Sequence, residues 1–239
     1  MSERNEQHDL TALAAANVPM FSRAAWVRIL PFLVYIFFII AVDVLARLGI
    51  ELQALRWMYA LKIGAVLATL AWFWRDYTEL HSWDLGLTAT AVALVTGVLV
   101  LVLWVSLDAS WMVIGSPDGF NPTTGGRIDW LMVAVRIAGA ALVVPVMEEL
   151  FWRSFLMRWI DSDSFHLLDP AQISLKSVVI GVVLFGFEHN LWLAGMVAGA
   201  AYSLLYMKQR SLWSSILAHA VTNGLLGVWI VRTGNWTYW

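Results

Sequence analysis

The stretch DWLMVAVRIAGAALVVPVMEELFWRSFLMRWI, Asp129–Ile160, decides how the chain is read: 32 residues, nearly all apolar, with Glu148, Glu149 and Arg153 set inside the run. A helix of about 20 apolar residues crosses a bilayer. The stretch is therefore longer than one crossing and must tilt, bend at Pro145 or project beyond the lipid. Ionisable groups at such depth cost about 2.5–3.5 kcal/mol each on insertion scales, so two carboxylates and a guanidinium here mark either function or mutual neutralisation.

The remainder of the chain supports a membrane setting. Of 239 residues, 60% are hydrophobic and 13% charged, and mean hydropathy is +0.71. A water-soluble domain carries about 25% charge. Apolar runs recur at about Trp26–Leu45, Met58–Trp74, Leu87–Ser106, Leu175–Asn190, Trp192–Met207 and Leu212–Val231. They lack the polar–apolar alternation of barrel strands, so the expected fold is all-α, a polytopic transmembrane helical bundle of about seven spans, with eight as the alternative count. Residues 1–24 read as a polar cytoplasmic tail and 25–239 as a single membrane-embedded domain, with a catalytic core at about 129–231. The longest connection is the turn-rich loop from Ser116-Pro117-Asp118-Gly119 to Gly125-Gly126. Fifteen tryptophans suit interfacial belts. Small residues Gly195, Gly199 and Ala200 suit close helix packing.

With seven spans, eight basic residues fall on the side of the N-terminus (Arg4, Arg23, Arg28, Arg75, Arg158, Lys176, Lys208, Arg210) and four on the other (Arg47, Arg56, Arg127, Arg232). The positive-inside rule then places the N-terminus in the cytoplasm. Asp43 and Arg47, four apart at a membrane edge, read as a structural pair. There is no cysteine, which excludes disulfides and thiolate chemistry. A net charge of −2 without a polybasic block gives no sign of a nucleic-acid partner.

Three patterns put polar groups where lipid-facing residues should be: Glu148, Glu149 and Arg153; Glu188 and His189; His219 and Asn223. Glu149 and Arg153 are four apart with the acid first, the favourable order for an ion pair within one helix. Glu148 is rotated from Glu149 by about 100° and must find its partner on another helix. Depth brings candidates to it. At about 1.5 Å per residue, Glu148 lies about 15 Å from Arg158, His219 about 14 Å from Arg210, His189 about 20 Å from Lys176 and Asn223 about 20 Å from Arg210. All four sit near the midplane of a core about 30 Å thick. A poorly solvated carboxylate beside imidazoles can activate water, and nearby donors can hold an oxyanion.

In order and on successive spans, Glu148-Glu149-x-x-x-Arg153, Phe185-x-x-x-His189 and His219-x-x-x-Asn223 resemble the three motifs of the CAAX protease and bacteriocin-processing family, which includes the type II prenyl-protein endopeptidases. The likeness covers Val143–Gly224. More loosely, the Phe187-Glu188-His189 context and the tryptophan-rich C-terminus are similar to the bacterial CAAX prenyl protease-related branch found beside exosortase systems. The resemblance implies a glutamate-type intramembrane endopeptidase in the bacterial cytoplasmic membrane, acting on a membrane-associated protein or peptide. Glu148 and His189 would activate water, His219 and Asn223 would form the oxyanion site, and Glu149 and Arg153 would support them. Prenylation of the substrate is not implied. No cofactor is expected. Glu148, His189 and His219 would also make a His2Glu zinc set, a reading disfavoured by the absence of a His-Glu-x-x-His pattern. Glu188, outside the general motif, would face the headgroups or pair with Arg136. Two rival readings are a proton-coupled transporter, since midplane acids and histidines also serve proton relays, and a non-catalytic partner of a protein-sorting system.

Overall fold

Each apolar run becomes a helix, since a backbone in lipid must satisfy its polar groups within its own segment. The computed structural model describes residues 21–51, 53–115 and 119–239. The tail expected over residues 1–24 lies almost wholly outside the described residues, as do Ser116, Pro117 and Asp118 of the turn-rich loop. The described residues form α1 (Arg23–Arg47), α2 (Met58–Trp72), α3 (Leu87–Trp104), α4 (Trp130–Trp159), α5 (Leu175–Phe187), α6 (Trp192–Gln209) and α7 (Leu212–Thr233). A two-stranded hairpin, β1 (Thr123–Thr124) against β2 (Arg127–Ile128), precedes α4. Its turn residues Gly125 and Gly126 both have positive φ, the backbone that a tight two-residue hairpin requires.

The architecture is the expected all-α bundle of seven helices. Four of them, α1, α3, α4 and α7, are long and apolar enough to cross a membrane. Helices α2 and α5 are apolar but have 15 and 13 residues. At about 1.5 Å per residue neither reaches across a core of about 30 Å. Helix α5 stops at Phe187, so Glu188–Leu191 continues as irregular backbone at membrane depth. Such backbone is tolerated only where protein covers it or it lines a cavity.

Helices α4 and α7 are the interior of the bundle: 39% and 44% of their most apolar windows are buried, against 17% for α1 and α3. Helix α4 packs on α1, α2, α5 and α7; α7 packs on α3 and α6; α5 and α6 form a hairpin. The outer helices turn large apolar side chains outward, among them Phe37 and Ile40 on α1 and Val95 and Leu99 on α3. These are the faces that meet lipid tails. Exposed Trp26, Trp57, Trp72, Trp83 and Trp130 lie at or next to helix ends, which suits interfacial belts.

Helix α4 is not a plain α-helix. Its backbone widens to π-helical i→i+5 bonding over Gly139–Val143 and again over Leu150–Leu156. The first widened stretch ends two residues before Pro145, which has no N–H to give and whose ring crowds the preceding turn. The expected disturbance at Pro145 is thus a local widening. At the N-terminal end of the bundle, the buried Arg28 guanidinium bonds Glu79 (2.7 Å) and Ser154 (2.9 Å), tying α1, the α2–α3 connection and α4 together. Tyr77 Oη donates to the Val27 carbonyl (2.7 Å) in the same layer. The Asp43–Arg47 pair forms as expected, at 2.9 Å on the surface of α1.

Candidate active site

Glu148 and Glu149 occupy neighbouring positions of α4 and are both buried, at 4% and 0% exposure. Their surroundings differ because the helix turns by about 100° between them. Glu149 points back into protein. Its carboxylate meets Arg153 Nη1 and Nε, each at 3.2 Å, and His219 Nδ1 at 2.9 Å. Glu148 points into a cavity of about 740 Å³. Its Oε2 is buried, makes no hydrogen bond among the described residues, and lies 3.9 Å from His219 Nε2.

The expectation that Glu149 and Arg153 form a self-contained pair needs correction. Glu149 also accepts from His219 on α7, 70 residues away. Arg153 donates to the Gly199 carbonyl on α6 (3.2 Å) and stacks over Phe185 on α5, 4.5 Å from the ring centroid. A buried carboxylate with both a guanidinium and an imidazole is better compensated than one with a guanidinium alone. The consequence is orientation: with Nδ1 held by Glu149, His219 presents Nε2 to Glu148 and to the cavity. Tyr202 stacks on the His219 ring at 4.9 Å and 19°, and its hydroxyl donates to Thr222 Oγ1 (2.8 Å).

His189 sits just past the end of α5, and its Nδ1 lies 2.8 Å from the Phe185 carbonyl oxygen. A carbonyl only accepts, so Nδ1 carries the proton and Nε2 offers its lone pair elsewhere. Trp104 meets the His189 ring edge-on at 5.2 Å. Phe185 lies between the imidazoles, 4.9 Å from His189 and 6.2 Å from His219. Asn223, one turn beyond His219, donates from Nδ2 to the Ala140 carbonyl at 2.9 Å. Ala140 is in the π-helical stretch, where altered pairing leaves a carbonyl for an outside donor. Asn223 therefore ties α7 to α4, while its second Nδ2 hydrogen remains available to the cavity.

Glu148, His189, His219 and Asn223 all line the one cavity, whereas Glu149 and Arg153 stand behind its wall. Glu188 departs from both expectations for it. It neither faces headgroups nor pairs with Arg136: it accepts from Trp152 Nε1 (3.1 Å) and lines the cavity. The reason is the early end of α5, which turns residues 188–191 inward. Among the described residues no cluster of three or more His, Asp and Glu side chains is arranged to hold a metal ion.

Tyr202, Trp104 and Trp152 shape the site and were not singled out from sequence. Tyrosines within apolar spans carry a polar end that needs a partner, the one sequence signal that pointed to Tyr202. The lining runs from the middle of the bundle, at Glu148, Tyr202 and His219, to the end that holds the C-terminus, where Asp108, Gly119, Asn235, Thr237, Tyr238 and Trp239 complete it. None of the lining residues comes from the α2–α3, α4–α5 or α6–α7 connections.

Residues 130–225 match the family model described as type II CAAX prenyl endopeptidase Rce1-like. The matched stretch begins with α4, ends within α7 and contains all six residues of the site. No curated protein and no solved structure matches the chain.

Proposed function

We propose that the chain, an integral membrane protein that over residues 130–225 carries a protease domain of the Rce1-like, type II CAAX prenyl endopeptidase family, hydrolyses a peptide bond of a membrane-associated protein or peptide by a glutamate-based mechanism. One observation supports this most directly. Glu148 from α4, His219 and Asn223 from α7 and His189 from the α5–α6 loop converge on a single cavity of about 740 Å³ inside an apolar bundle.

In the reading we favour, a water molecule bound at Glu148 attacks the scissile carbonyl carbon and gives its proton to the carboxylate, assisted by the free Nε2 of His189. The carbonyl oxygen becomes an oxyanion, which the second Nδ2 hydrogen of Asn223 receives together with Nε2–H of His219, a donation that requires both ring nitrogens of His219 to carry a proton, Nδ1–H being given to Glu149. Collapse of the tetrahedral intermediate breaks the C–N bond, and the proton held at Glu148 passes to the leaving amine. Glu149 and Arg153 set the imidazole of His219 without touching the substrate. A preformed cavity inside an apolar bundle makes these dipoles more effective than they would be in bulk water.

The experiment is Glu148→Gln in purified protein. The variant keeps size and shape, so thermal stability should hold while cleavage of a membrane-anchored reporter falls by a factor of at least about 10². A well-folded Glu148→Gln protein that still cuts at the wild-type rate would refute the assignment. Metal independence is tested separately: activity should survive dialysis against a strong chelator, and loss restored by zinc would replace this mechanism with a zinc one. Proton-driven uptake into proteoliposomes, lost in Glu148→Gln and without peptidase activity, would instead mark a transporter.

A further inference from the structure

The cavity has a second charged end. Arg136 lines it from α4, 12 residues before Glu148, or about 18 Å along the helix axis. Its guanidinium is flanked by Phe120 at 4.4 Å, Tyr59 at 4.7 Å and Trp239 at 5.6 Å. Among the described residues it forms no ion pair and donates no hydrogen bond. Rings beside a guanidinium do not consume its N–H donors, which can match a carboxylate in a two-pronged bond. Lys62 shares the Tyr59 ring with Arg136: its Nζ lies 3.8 Å from the centroid of Tyr35 and 5.1 Å from that of Tyr59, again with no carboxylate partner among the described residues. A cation without an acid at membrane depth calls for a functional explanation.

Helix geometry places this cation on the same wall as the catalytic acid. Arg136, Ala140, Val144 and Glu148 all line the cavity. In a plain α-helix each step of four residues advances by about 40°, so three steps would swing Arg136 about 120° away from Glu148. The π-helical stretch Gly139–Val143 holds more residues per turn and takes back part of that drift. The result is a row from Arg136 at the mouth to Glu148 within.

We infer that Arg136 is an anion subsite of this cavity and takes a carboxylate of the peptide substrate, C-terminal or side-chain, about five residues from the bond cut at Glu148, the span of an extended chain over about 18 Å. The inference rests on the peptidase reading for its substrate, and on the geometry of the cavity for its site. A lipid phosphate is the less favoured ligand, because the guanidinium faces the cavity that continues to Glu148.

The test uses full-length Glu148→Gln protein in nanodiscs of neutral phosphatidylcholine, so that binding is read without turnover. The probes are three N-dansylated apolar hexapeptides: one with a free C-terminal carboxylate, its C-terminal amide, and the amide with an aspartate as sixth residue. Binding is followed by tryptophan-to-dansyl energy transfer. At least one carboxylate peptide should bind about tenfold more tightly than the plain amide, and which one does so identifies the source of the carboxylate. Adding Arg136→Gln should erase the difference, while Arg136→Lys, which keeps the charge, should retain part of it and serve as the folded control. Equal binding of all three peptides, or a preference that survives Arg136→Gln, overturns the subsite. If the preference is found but wild-type protein never cuts the bound peptides, the subsite stands and the peptidase reading fails.

Discussion

Glu148 and Glu149 show how far one residue's context sets its role. Glu149 holds an arginine and a histidine in place; Glu148 faces the cavity with an unbonded oxygen. The two Gln variants should therefore fail differently. Glu148→Gln should lose activity alone. Glu149→Gln should also lose stability, by about 3–5 kcal/mol, because it leaves the fully buried Arg153 without its counter-charge, and thermal melts read beside activity separate the two outcomes. At the opposite end of the bundle Glu79→Gln should be purely structural. It strips the counter-charge from Arg28, which is 4% exposed, at a similar cost of about 3–5 kcal/mol. Substrate affinity of whatever protein remains folded should be unchanged. The ion pair of Glu149 with Arg153 was legible from their spacing of four. The grip of Glu149 on His219 was not, because the two residues are 70 positions apart and only the approach of α7 to α4 joins them.

Among the elements, the α5–α6 hairpin is packed closely at Gly195. A Cβ on Gly195 would lie 3.0 Å from Gly186 Cα and 3.3 Å from His189 Nδ1, tighter than ordinary contact. Gly195→Ala should cost about 1–3 kcal/mol through overpacking and disturb the His189–Phe185 bond, lowering kcat more than it raises KM. The small residues of α6 were readable as packing residues, but not as the support of the His189 imidazole at the cavity. The start of α5 offers a pH test. Burial works against the charge of Asp161, yet the hydroxyls of Ser177 and Ser174 and the Ser174 N–H donate to it and hold its carboxyl below the usual carboxylate range. With the folded pKa depressed, the stabilisation is complete above the unfolded value of about 3.9 and is lost as pH falls through the lower folded value. The melting-temperature advantage of wild type over Asp161→Asn should shrink as pH drops below about 4. An advantage that grows with acidification would contradict the sign.

For the molecule as a whole, the cavity opens at the end that holds the C-terminus, while the Arg28–Glu79–Ser154 layer belongs to the other end. If the eight-to-four distribution of basic residues sets orientation, substrates enter from the non-cytoplasmic side. The chain has no cysteine, so single-cysteine reporters are unambiguous. Arg127→Cys in strand β2 of the hairpin should react with a membrane-impermeant maleimide from outside sealed right-side-out vesicles, and Ser164→Cys in the α4–α5 connection only after permeabilisation. Labelling of both from one side would show that α4 does not cross.

The sequence by itself determined the membrane class, the seven helices to within three residues at their ends, and the six polar residues that the bundle gathers at and behind the cavity wall, because hydropathy and the cost of charge in lipid are local properties of a run. Tertiary structure decided what each of those residues touches. It gave Glu149 to His219, turned Glu188 inward to Trp152, bonded Asn223 to the widened turn of α4 and aligned Arg136 with Glu148. These outcomes depend on where α5 stops, on how α4 widens before Pro145 and on which helices lie side by side, and hydropathy carries no record of them.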